Sequence, residues 1–258
     1  MCESSAHLAR ILAAVVFQVL DPLLVEASVP VWRVLMWTGV LPALLVLWIR
    51  KGIPESPVWL ERRRDRSTRT RLQVRRYLRA DVIAGAVVLM ALMFAYQSMS
   101  FWYATLLRTR GLAPLVYLIA LNVGGITGAA LWGFVADTAF GPRKAIALAT
   151  LLSLASVPFF LLASSHFALV AGALGIGLAG AGVIGVAPSF VGNLFDPEKR
   201  ATGWGIVYHG AAAVGAIAPW LIGSLQDRGW ALSLAMAVCI GAASVVTLAF
   251  VRPLRTAR

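Results

Sequence analysis

VIAGAVVLMALMFAYQSMSFWYATLL, residues 82–107, runs without a single charged side chain. As a helix rising 1.5 Å per residue, the run is longer than the roughly 30 Å hydrocarbon core of a bilayer. Directly before it lies the opposite composition. Residues 51–79 carry Arg62, Arg63, Arg64, Arg66, Arg69, Arg71, Arg75, Arg76 and Arg79, opposed only by Glu55, Glu61 and Asp65. An apolar run abutting a basic polar stretch is what a membrane span leaving an aqueous loop looks like in sequence.

The pattern repeats outward from this junction. Further apolar runs follow at Pro114–Val135, Ala145–Ala163, Phe167–Phe190, Gly203–Leu225 and Trp230–Val251, mostly with short connections. On the other side of the basic stretch, Val31–Ile49 is a span with Trp32 and Trp37 near one end and Trp48 at the other, the placement of an aromatic belt. The segment 8–28 is doubtful. Ile11–Leu20 is about half a span, and Asp21-Pro22 and Glu26 interrupt it. The sequence therefore predicts an all-α membrane bundle. Its expected domains are 1–50 with one clear and one doubtful helix, a basic cytoplasmic loop over 51–80, and a six-helix unit over 81–258.

Composition agrees. Of the 258 residues, 60% are apolar and 13% charged, with mean hydropathy +0.81; a soluble domain is about 45–50% apolar and about 25% charged. The net charge of +12 raises the question of nucleic acid. The basic residues lie between apolar runs, so they read as orientation signals instead. Cys2 and Cys239 form no disulfide framework, and His7, His166 and His209 lack zinc-ligand spacing. No phosphate loop or nucleophile elbow is present, so no enzyme, metal or cofactor is expected.

Charge also predicts orientation. With residues 51–79 in the cytoplasm, the 137–144 and 196–200 loops and the 252–258 tail face inward too. The outward loops hold only Arg33, Arg108, Arg110 and Arg228. This places the chain as a multi-pass protein of the inner membrane.

Three motifs sit in this frame. Pro54-Glu55-Ser56-Pro57-Val58-Trp59-Leu60 follows the first clear span; its prolines stop a helix, which leaves Glu55 and Trp59 unexplained. Gly133-Phe134-Val135-Ala136-Asp137 precedes Gly141-Pro142-Arg143-Lys144 between the second and third helices of the six. Gly192-Asn193-Leu194-Phe195-Asp196-Pro197-Glu198-Lys199-Arg200-Ala201-Thr202-Gly203 joins the fourth and fifth.

One span, a long basic loop and six spans, with these motifs, resemble the carboxy-terminal half of a major facilitator transporter. The Pro54–Leu60 stretch is similar to the central-loop signature of sugar porters and metabolite:proton symporters. The second motif resembles the family's Gly-x-x-x-Asp-x-x-Gly-Arg-Arg gating loop. In that loop Gly133 would allow close helix approach and Asp137 would cap or face a helix N-terminus, with Gly141, Arg143 and Lys144 completing it. It departs from the pattern by one extra residue before Gly141 and by Thr138 in the usual basic position. The third motif resembles the family's Glu-x-Phe-Pro-x-x-x-Arg-x-x-Gly loop. Phe195, Arg200 and Gly203 match, and Asn193 stands where the glutamate would be. Phe101–Leu107, Pro114 and Asn122-x-Gly124-Gly125-x-x-Gly128 resemble bacterial carboxylate:proton symporters of the sialate, lactate and aromatic-acid type.

The resemblance implies proton-coupled symport of a small organic acid by an incomplete transporter, with the missing amino-terminal half or a homo-oligomer as partner. A sugar or polyol porter and a non-transporting half-protein remain as alternatives. The substrate would sit near the bilayer midplane, so polar and aromatic groups within spans are the candidates: Gln97, Ser98, Phe101, Trp102, Tyr103, Asn122, Tyr208 and His209. Ser98 and Tyr103 read also as packing, Asn122 also as a backbone contact beside its glycines. His209 reads either as a proton carrier or as an imidazole tied to a carbonyl. No lysine or arginine lies within the six spans to meet a carboxylate.

Overall fold

A computed structural model describes residues 2–26, 31–38, 40, 44, 46, 80–195 and 200–251. The Pro54–Leu60 signature, the arginine-rich stretch, part of the Val31–Ile49 span, residues 196–199 and the 252–258 tail lie outside the described residues. The chain divides into two compact units, one formed by Met1–Leu12 with Leu78–Arg258, the other by Ala13–Tyr77.

The described residues are helical, with no strand among them. In order the helices are α1 Cys2–Glu26, α2 Val31–Thr38, α3 Ala80–Ser100, α4 Tyr103–Thr109, α5 Leu115–Asp137, α6 Gly141–Leu161 and α7 His166–Ile176. A π turn Gly177–Ala181 and a 3-10 turn Gly182–Val186 follow. The order ends with α8 Ala187–Gly192, α9 Arg200–Gly215, α10 Ile217–Asp227 and α11 Leu232–Phe250. Among the described residues, six stretches are long and apolar enough to cross a membrane: Ala80–Thr109, Leu115–Asp137, Gly141–Leu161, His166–Gly192, Arg200–Asp227 and Leu232–Phe250. These are the six expected spans.

Their boundaries shift for local reasons. The third span starts at Gly141, not Ala145, because Gly141 takes the left-handed conformation at φ 78° and Pro142 fits a first helical turn. The fourth starts at His166 because Ser165 caps it, its Oγ accepting from the Ala168 N–H at 3.2 Å. At the amino terminus, Asp21-Pro22 does not interrupt the helix as expected: α1 runs through to Glu26. A proline removes one donor and clashes with one carbonyl, which bends a helix without having to end it.

The fourth span departs from the α ladder over the longest stretch. Its middle loses the α ladder over a glycine-rich segment. Gly177 and Gly182 press against the backbone of α5, at Leu121 and Gly128, where a Cβ would collide. Close approach of this kind is what small residues permit between membrane helices. One carbonyl in the irregular stretch gains a side-chain partner: Trp132 Nε1 donates to the Leu178 oxygen at 2.8 Å.

Contacts at each end fix the antiparallel order. At one end Tyr103 stacks on Phe160 at 4.0 Å, Tyr117 hydrogen-bonds His166 at 2.8 Å, and Arg110 donates to the Leu161 carbonyl. At the other, Asp81, Gly85, Arg143, Phe190, Leu194 and Phe250 line one small cavity.

Candidate functional site

Within the first two spans, a polar cluster forms where α1 meets α3 and α5. Asn122 of α5 uses its Nδ2 to donate to the Leu118 carbonyl of its own helix at 2.8 Å. Its Oδ1 is then the acceptor, and lies 3.0 Å from His7 Nδ1. In this arrangement the proton on His7 is at Nδ1. His7 is 3% exposed. Its ring fills the notch left by Gly125, where a Cβ would come within 2.5–2.8 Å of the imidazole atoms. Tyr96 of α3 meets His7 edge-on at 6.1 Å between centroids. One turn beyond His7, the Arg10 guanidinium lies over the Tyr96 ring, 5.1 Å from its centroid.

Asn122 is therefore the sequence candidate that reaches this cluster directly. His7, Arg10 and Tyr96 were not singled out from sequence. The available signal was a histidine and an arginine one turn apart just before the apolar run Ile11–Leu20, which reads as about half a span; in the structure both lie on the apolar helix Ala6–Val19. A charge in such a helix is costly and usually has a purpose.

The other candidates are placed as follows. Gln97 is half-buried and follows Tyr96 on α3. Ser98 is fully buried, its Oγ donating to the Phe94 carbonyl at 2.8 Å. Phe101 is exposed and meets Trp102 edge-on. Trp102 Nε1 donates to the Pro219 carbonyl at 3.0 Å, tying the first span to α10. Tyr103 is fully buried against Phe160, and its hydroxyl has no hydrogen-bond partner among the described residues. Tyr208 sits between the rings of Trp204 and His209. His209 is exposed, on the side of α9 away from buried Val207 and Ala211. No hydrogen bond or ring contact among the described residues joins His209 to Gln97.

The loop motifs are partly rearranged. Gly133 has open space around it, so it is not a close-approach glycine; Gly124 and Gly128, which face the π turn, have that role instead. Asp137 is exposed at the end of α5 and does not cap α6, whose N-cap residue Phe140 makes no side-chain cap bond. Thr138 closes the turn: its hydroxyl donates to the Val135 carbonyl at 2.7 Å and accepts from the Phe140 N–H at 3.2 Å. Thus the residue departing from the expected basic position is the one that shapes this loop. Arg143 and Lys144 are exposed, with Lys144 near the Phe140 ring. Arg200 is exposed at the start of α9, and Phe195 packs its ring onto Gly203.

Comparison with known proteins places these features in a family. Residues 118–258 match the model of the Major Facilitator Superfamily. The chain is 30% identical over 201 residues to the sialic acid transporter NanX of Escherichia coli (strain K12), covering 76% of this chain and 49% of that protein. It is 26% identical over 227 residues to a probable 4-methylmuconolactone transporter of Cupriavidus pinatubonensis, covering 85% of this chain and 51% of the relative. It is 29% identical over 245 residues to a benzoate transport protein of Acinetobacter baylyi, covering 79% and 50%. The chain thus spans about half the length of the curated relatives it matches. Six membrane-capable helices and the family match together describe a multi-pass membrane protein.

Proposed function

We propose that this chain, which belongs to the Major Facilitator Superfamily, serves proton-coupled movement of a small organic acid across the inner membrane of a bacterium. The observation that carries the reading is that relatives spread over most of the chain are named for transport of sialic acid and benzoate, both carboxylates. The buried polar pair His7–Asn122 supports it, because it places paired polar groups within an apolar span, where such groups commonly mark a substrate or ion path. Residues 81–258 act as one six-helix half, with Gln97, Tyr208 and His209 as polar groups available to substrate or proton and Asn122 engaged with His7 behind them. A second half, from further helices or another copy, completes an alternating-access pair.

The test is uptake of radiolabelled benzoate, N-acetylneuraminate and glucose by cells expressing the chain together with a complementary amino-terminal six-helix half, with and without a protonophore. Acid uptake that collapses with the protonophore is the expected result. Glucose uptake would establish the sugar or polyol reading that the Pro54–Leu60 signature favours. No uptake of any of the three would overturn transport in favour of a membrane interaction partner.

A further inference from the structure

Arg10 is a fixed positive charge on an apolar helix. Among the described residues no carboxylate pairs with it; its contact is the face of Tyr96 at 5.1 Å. Stacking over a ring holds the guanidinium plane yet leaves the N–H groups at its edge available to an acceptor. Beside it, the His7–Asn122 hydrogen bond and the fit of the His7 ring against Gly125 connect α1 to α5 one turn from the guanidinium. His7 is buried and Arg10 exposed. The closed side of the cluster is therefore the hydrogen-bonded pair, and its open side presents the cation. Tyr96 lies halfway along the first span, the depth at which a substrate is held in this kind of fold.

We propose that Arg10, held over Tyr96 and positioned by the His7–Asn122 pair, is the anchor for the carboxylate of the substrate. The inference rests on the organic-acid reading above, and it supplies a cation where the middles of the six spans have none. A guanidinium offers a planar fork of donors that matches a carboxylate in bidentate fashion. An anionic ligand also offsets the cost of keeping that charge on an apolar helix. His7 and Asn122 are positioning residues, and the ring of Tyr96 supports the guanidinium from below.

The experiment is binding of radiolabelled benzoate to the full chain in lipid nanodiscs, with benzamide as a neutral competitor. Unlabelled benzoate should displace the label and benzamide should not. R10Q should weaken binding about tenfold or more, the scale of a lost charge-assisted interaction. R10K, which keeps the charge without the planar fork, should fall between the two. In parallel, benzoate should shield Arg10 from phenylglyoxal, read by mass spectrometry of the unaltered chain, which decides the matter even where R10Q does not fold. Unchanged affinity in R10Q, or equal modification of Arg10 with and without benzoate, would overturn the assignment while leaving the organic-acid reading standing. If the unaltered chain binds neither benzoate nor N-acetylneuraminate, the organic-acid reading falls, and the anchor with it.

Discussion

The indole Nε1 of Trp132 donates across 2.8 Å to the carbonyl of Leu178, joining the second span to the irregular middle of the fourth. A π turn breaks the regular ladder, and the carbonyls there need partners that the helix does not supply by itself. Trp132 is nearly fully buried, so no water reaches the bond from that side. W132F keeps most of the ring and removes the donor. We expect a loss of about 1–3 kcal/mol, the cost of an unsatisfied buried carbonyl, read as a lower melting temperature in detergent. An unchanged melting temperature would show that Leu178 finds another donor.

The glycines separate into two kinds that a pair of alanine variants distinguishes. A Cβ on Gly128 would strike the Leu178 carbonyl, whereas one on Gly133 meets open space. G128A should therefore destabilise by about 1–3 kcal/mol, as overpacking does. G133A should be neutral or stabilising by up to about 1 kcal/mol, since alanine suits a helix interior better than glycine. Equal effects of the two would contradict the packing described for α5.

Orientation is tested outside the described residues. Arginine-rich 51–79 and the basic tail should share the cytoplasmic side. Single cysteines at Ser67 and Thr256, in a background lacking Cys2 and Cys239, should resist an impermeant thiol reagent in intact cells. Both should label once the cells are opened. Labelling of either from outside would invert the topology.

His209 is an exposed imidazole on α9, on the side away from buried Val207 and Ala211. Where the protein drives uptake of an acid, H209Q should lose accumulation driven by a pH gradient and keep exchange of substrate. Glutamine retains hydrogen bonding but does not titrate. Accumulation unaltered over about pH 5 to 8 would remove His209 from proton coupling.

The six spans were legible because a run such as 82–107 has one feasible solvent. Length and the absence of charge are enough to recognise it, and helix caps then move its ends by only a few residues. The candidate site was less legible because pairing across long separations leaves no periodic trace. Asn122 stood out as an amide in an apolar helix, but its partner His7 is 115 positions away. Arg10 belonged to a segment discounted for Asp21-Pro22, an interruption that the backbone of α1 absorbs. The role of Thr138 was hidden for a different reason. The motif drew attention to the missing basic side chain, while the hydroxyl that replaced it supplies both a donor and an acceptor to the turn.

The ring of Phe195 occupies the space a side chain on Gly203 would need, with its nearest atoms 2.6 Å from that Cβ position. Mechanically this is a clamp between the end of the fourth span and the start of the fifth. Force applied to one would reach the other through this ring contact. Stiffness along the fourth span is uneven, however, since the Gly177–Val186 stretch lacks the regular ladder that resists bending. A load on the clamp is therefore relieved there first, and a swing of the fifth span would be felt as curvature in the middle of the fourth.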